Sequence, residues 1–537
     1  MNNRTCGFEW MTAPLLLVMR SDRLLFLLNF VPFLLMPGLL FSVFTRLGIH
    51  ARVAWSWMWL LPTGYCFLLQ AGSIGNDAFP TVYALAAVDF ALRARISRRV
   101  SDLVLSFLAA ALLTGAKVSN GPLLLAWALL LLPMFPHVIQ TITKGTTRTR
   151  LIWACGGAAL LLVCTIISFL PTALLNYRFC GDWTGLRLER AGMDMHSPIV
   201  GLWGNALLFL LHNFAPPFFP QAGWWNQEAP SLLPRCIVEP MNANFEAGYH
   251  LMWELPTEDW VGLGFGLSVL VSVSFLAAMF FRRATVRPGL QLVHGLPRWI
   301  QWGALVAPWI ALGLYSVKSG MVTGSRIIAP YYPFLLPLLL VHQGQWYLVR
   351  KRWWRALAGA VVCLTLPILV VSPARPLWPA QSILGRLAKA RPDSRLLQRA
   401  YRVYSVYSSR SDPLAQVRDL LPSDLRVIGF LADGDDMDIS LWRPFFSRRV
   451  HHILWDDSAE AVRSRGIEYA VVGGAYLQWL DTPGQAGNAS DEPRLLHPWL
   501  TRMNAEILST TTVTLKVSEG PQPWYVVKFN NSVSKQP

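Results

Sequence analysis

Apolar runs close to the 20 residues needed to cross a bilayer recur through the first 373 positions, and no other feature limits the fold so strongly. They fall at 23–44, 53–70, 80–93, 102–117, 121–137, 151–172, 199–214, 260–281, 299–317, 328–348 and 355–373. Charged residues make up only 15% of the chain, against about 25% in ordinary soluble domains. The 24 tryptophans suit two interfacial belts, where an indole sits at headgroup level. These features predict a polytopic α-helical membrane protein with a C-terminal extracytoplasmic α/β domain. The core is expected to hold about ten spans plus one re-entrant or interfacial helix.

A net charge of +16 would suit a nucleic-acid binder, but its location argues otherwise. Basic residues gather in five short loops: Arg46/Arg52, Arg93/Arg95/Arg98/Arg99, Lys144/Arg148/Arg150, Arg282/Arg283/Arg287/Arg298 and Arg350/Lys351/Arg352/Arg355. None of the five contains Asp or Glu. Such loops stay cytoplasmic, which puts the alternate loops outside. The partner implied is a membrane and not a nucleic acid. Segment 199–214 then lies between two outer stretches and ends in "LLHNFAPPFFP", so it reads as the re-entrant or interfacial helix. Parity also places 1–22 outside as the remnant of a first outer loop. No signal peptide or span precedes it, so a missing upstream helix is the simpler reading.

After Pro373 the pattern changes. The 23–373 core, with its long outer loop 173–259, gives way to 374–537, where "VIGFL", "GIEYAVVGG", "ILSTTTVTLKV" and "WYVVKFN" read as strands and "SAEAVRSR" as a helix. Of seven cysteines, Cys66, Cys155, Cys164 and Cys363 lie in spans as small apolar fillers. Cys6, Cys180 and Cys236 fall outside, where a Cys180–Cys236 disulfide is one option in an oxidising compartment.

The outward stretch "GSIGNDAFPT" sets Asn76 and Asp77 between two hydrocarbon runs. Asp77 is either a helix cap ahead of Pro80 or an acid lining a wet cleft. Lys117 and Arg326 break the positive-inside tendency, each at the outer end of an apolar run. Either could snorkel to the interface, or the two could form an anion site, for which a lipid phosphate is the obvious occupant. His212 and Asn213 end segment 199–214 on the same side. "MDMH" is too sparse for a metal, and "DGDDMD" lacks the later acid of a calcium loop. No cofactor is expected, and the spacing of His, Cys, Asp and Glu gives a divalent metal no support.

Two passages, "SIGNDAFPTVYALAAVDFALRAR" and "LSFLAAALLTGAKVSNGPLLLAWALLLL", together resemble C-type integral-membrane glycosyltransferases. The nearest match is to bacterial relatives of protein O-mannosyltransferases and aminoarabinose transferases. In that family an acidic outer loop precedes a short helix, and the next helix ends in a lysine. Asn76, Asp77 and Lys117 fall on those positions. "SRIIAPYYPFLLPLLL" is similar to the family's late helix and puts Arg326 at its arginine. "GFEWMTAPLLL" resembles the end of the first outer loop and carries Glu9. The resemblance spans roughly 8–350, and set against the family's pattern the first span and the start of the first outer loop are missing.

The resemblance implies transfer of a sugar from a polyprenyl-phosphate donor to an extracytoplasmic glycan, lipid or protein acceptor, in an inner (plasma) membrane. The C-terminal domain would be periplasmic if the source is Gram-negative. Asp77 and Glu9 are the catalytic candidates it implies. Asn76, Lys117, Arg326 and His212 are the candidates for holding substrate. The alternatives are a transporter or flippase for a lipid-linked glycan, and a degenerate relative acting as a scaffold.

Overall fold

The computed structural model describes residues 9–19, 24–73, 75–184, 195–245, 254–258, 260–280, 297–321, 324–371, 380–408, 412–433, 436–481, 492–515 and 520–530. The chain divides into two compact units: Met1–Ala13 with Arg23–Tyr407, and Pro14–Asp22 with Ser408–Pro537.

The first unit is helical. Leu27–Arg46, Val118–Lys144, Thr147–Ile167 and Arg352–Leu369 are long and apolar enough to cross a membrane. Trp10–Met19, Val100–Ala116, Phe265–Phe280 and Ala329–Leu340 are apolar but shorter. Among the described residues each expected apolar segment lies largely on helix, yet several are interrupted. In 53–70 the Ala51–Leu60 helix gives way at Pro62 and Gly64 to short turns, because proline removes an N–H and glycine adds backbone freedom. Thr147–Ile167 has no buried residue and exposes Leu151, Ile152, Leu161 and Leu162, a surface that suits lipid rather than water.

The centre of this unit is the Ala78–Ser97 helix, which packs on Leu27–Arg46 and on Val100–Ala116. Ala84, Ala87, Ala91 and Ala94 are buried on it, and small side chains let helix backbones approach closely. Ser106 donates from Oγ to the Ala87 carbonyl at 2.8 Å and accepts from Trp127 Nε1 at 2.8 Å, so its buried hydroxyl is satisfied. Gly115 marks the tightest crossing: a Cβ there would lie 1.9 Å from the Ile167 carbonyl oxygen, so only glycine fits.

The second unit carries a five-stranded sheet in the order β2-β1-β3-β5-β4, with β1 Val427–Leu431, β2 Arg449–His452, β3 Tyr469–Gly473, β4 Ala505–Val513 and β5 Gln522–Phe529. β1 pairs in parallel with β2 and β3, while β5 runs antiparallel to β3 and β4. Alternation along β5 sends Trp524 and Val526 into one apolar cluster and Tyr525 and Val527 into another. The Ala459–Ser464 helix is capped by Ser458, whose side chain accepts from the Ala461 N–H. A small C-terminal sheet is the part of the expected α/β domain that the structure shows.

Cys236 is a free, exposed thiol, so the Cys180–Cys236 disulfide does not form; the Cys180 side chain and Cys6 lie outside the described residues.

Candidate functional site

Asp77 occupies the N-cap position of the Ala78–Ser97 helix but its side chain makes no capping bond. It is ion-paired instead, with Lys117 Nζ on Oδ1 and Arg326 Nε at 3.3 Å on Oδ2. Gln70 Nε2 donates to Oδ2 at 3.2 Å. The Asp77 side chain is 2% exposed, that of Lys117 18% and that of Arg326 29%, so the acid is sealed while the cations keep one side open. Residues 77, 117 and 326, picked separately on the sequence, meet at one point.

Local chain geometry explains the meeting. Pro80 sits in the first turn of its helix, where the missing N–H costs nothing, and the bend before it frees the Asp77 side chain from capping. At the far end of Val100–Ala116, Lys117 leaves the helix in extended conformation and enters the 3-10 segment Val118–Leu123. Arg326 rides on the four-residue helix Gly324–Ile327, followed by a proline-interrupted run. That short helix is tied down from the Pro198–Asn213 helix. His212 Nδ1 lies 3.2 Å from Ser325 Oγ on it, and Asn205 Nδ2 donates to the carbonyls of Ser316 and Ser319 at 2.9 and 2.7 Å, in the chain that leads up to it.

His212 is therefore buried against the residue preceding Arg326. Asn76 sits half-buried in the bend, and its side chain makes no hydrogen bond to a described residue. Glu9 begins the Glu9–Met19 helix, and its side chain lies outside the described residues. Asp194 of the "MDMH" stretch also lies outside them.

Two supporting residues escape a reading of the sequence. Gln70 was hidden at the end of an apolar run. Asn29, fully buried, donates from Nδ2 to the carbonyls of Ser73 at 2.6 Å and Gly75 at 2.7 Å, and so pins the loop that delivers Asp77. A lone amide inside an apolar run was the available signal, since polar groups at membrane depth rarely lack a task. Asn120, three residues beyond Lys117, is fully buried with neither side-chain polar atom partnered among the described residues. Chemically, the arrangement is a carboxylate holding one ammonium and one guanidinium side by side, which two anionic oxygens could share.

Comparison with protein-family models, with curated proteins and with solved structures finds no match to the chain.

Proposed function

We propose that the chain is a membrane glycosyltransferase that moves a sugar from a polyprenyl-phosphate donor to an extracytoplasmic acceptor. The observation carrying this reading is the convergence of Lys117 and Arg326 on buried Asp77. A lipid-linked donor enters sideways from the bilayer, so no nucleotide fold is required. In the reading, the core has about ten spans, with Pro198–Asn213 re-entrant. At 16 residues that helix is about 24 Å long, short of a bilayer core. The core sits in the inner or plasma membrane and the sheet-bearing unit is extracytoplasmic.

In the reaction, an acceptor hydroxyl oxygen attacks the anomeric carbon opposite the phosphate. The new C–O bond forms as the bond to the phosphate oxygen breaks. The electron pair leaves with the polyprenyl phosphate, and the acceptor proton passes to a carboxylate base. Lys117 and Arg326 hold the departing phosphate and offset its growing charge. Both Asp77 oxygens are already engaged, so Asp77 fits best as the group that fixes the two cations before the donor arrives. Glu9 is the other carboxylate assigned to this face.

The test is transfer of radiolabelled sugar from polyprenyl-phosphate sugars by the purified full chain. Lys117→Ala and Arg326→Ala are each expected to lower turnover by about 10²- to 10³-fold without unfolding the protein. Full activity in both variants sinks the phosphate site.

A further inference from the structure

The Ala78–Ser97 helix carries a second buried carboxylate, Asp89, twelve residues beyond Asp77 and therefore about 18 Å along the axis. Asp89 Oδ1 accepts from Ser42 Oγ at 2.6 Å and from Arg46 Nε at 3.0 Å, and Oδ2 is ion-paired with Arg93 Nε at 2.7 Å. Both arginines thus meet the acid through Nε. Their Nη groups, four N–H donors on each guanidinium, make no hydrogen bond to a described residue. Arg46 and Arg93 line a groove of about 360 Å³ together with Ile96, Ser97, Arg99 and Asp102.

The turn closing this groove is rigidly built. Arg98 adopts the left-handed conformation at φ 51°, and Ser97 Oγ accepts from the Arg99 N–H at 3.1 Å while donating to Asp102 Oδ2 at 2.6 Å. Arg99 is exposed, and its guanidinium has no partner among the described residues. Three guanidiniums face two carboxylates, which leaves one positive charge uncompensated in a concave site.

The geometry points to a binding site for a phosphate group in this groove, at the opposite end of the helix from Asp77. A guanidinium tethered through Nε by a buried acid presents its Nη pair in fixed orientation, the fork that matches two phosphate oxygens. Prior fixing by Asp89 removes part of the ordering cost of binding. Arg99 supplies the charge that the pair with Asp89 cannot. The phosphate belongs either to an anionic lipid headgroup or to a soluble phosphate ester. The inference is independent of the sugar-transfer reading.

The probes are phosphatidylglycerol and inorganic phosphate, each titrated into the purified full chain in neutral detergent and followed by native mass spectrometry and melting temperature. Arg99→Gln disrupts no ion pair and should melt as the wild type does without ligand. Saturable phosphatidylglycerol binding, weakened about tenfold by Arg99→Gln and unchanged by Arg148→Gln on another basic loop, supports the site with a lipid occupant. The same dependence seen with inorganic phosphate alone supports it with a soluble occupant. Binding that is non-saturable, or equally affected by both substitutions, overturns the site in favour of general attraction to basic loops.

Discussion

At Asp77 a sealed carboxylate answers two partly shielded cations, so removing one partner leaves charge without a counter-ion in a poorly hydrated place. Asp77→Asn keeps the shape and removes the charge. It is expected to cost about 3 kcal/mol, read as a lower unfolding midpoint in detergent. Adding Lys117→Met should recover part of that loss, because the double variant no longer holds two unopposed cations; strictly additive losses would mean the three groups do not act together. Asp77, Lys117 and Arg326 were legible because each is a charge interrupting an apolar run. Gln70 and Asn29 were not, since neutral amides leave no mark on loop charge or topology. In the sheet, burial together with the charges of Arg449 and Arg465 pushes the His451 imidazole below its usual 6.5. The folded chain therefore holds that proton less tightly than the unfolded one, and the contribution is complete above about pH 6.5 and lost as pH falls through the depressed value. Protection factors of the β1 and β3 amides in the full chain, with the intrinsic pH dependence of exchange divided out, should fall between pH 7.5 and pH 5. His451→Gln should flatten that change, and an unaltered slope would show that another group is responsible.

Among the elements, the close crossing at Gly115 governs where Lys117 can stand. A Cβ 1.9 Å from a backbone oxygen cannot be absorbed by a flexible side chain, so Gly115→Ala must move one helix against the other. Overpacking of this kind costs about 1–3 kcal/mol. The displacement falls two residues before Lys117, so sugar transfer should fall further than stability alone accounts for. A variant with wild-type melting and transfer would show that the helices slide freely here. Long apolar runs announced these helices, but their breaks depended on Pro62, Gly64 and the prolines around Tyr331, whose effect is set by tertiary packing. Gly64, for example, faces Leu263 and Leu267, with a Cβ there 3.2 and 3.3 Å from their side chains. In the C-terminal unit β1, β3, β4 and β5 were visible as β-branched runs. β2 was not, because "RVHH" offers one apolar residue in four and becomes a strand only through its parallel pairing with β1.

For the whole molecule, the decisive quantity is which side of the membrane each loop faces, because the proposed chemistry needs Asp77, Lys117 and Arg326 on the side away from the basic loops. Arginine and lysine resist translocation, so the basic loops should remain in the cytoplasm and the long 173–259 stretch should lie outside. Cys236 offers a native reporter in that stretch: its thiol is free and exposed. Arg148, exposed between Phe135–Lys144 and Thr147–Ile167, marks a basic loop. The comparison uses one variant keeping Cys236 as its sole cysteine and another with Arg148→Cys as its sole cysteine, treated in intact cells with a membrane-impermeant maleimide. Cys236 should label in intact cells, and the cysteine introduced by Arg148→Cys only after permeabilisation. The reverse pattern would move the Asp77 cluster to the cytoplasmic face, where a lipid-linked donor presented from outside cannot reach it. Labelling of both without permeabilisation would mean that the basic loops do not set orientation, and the span order would then have to be rebuilt.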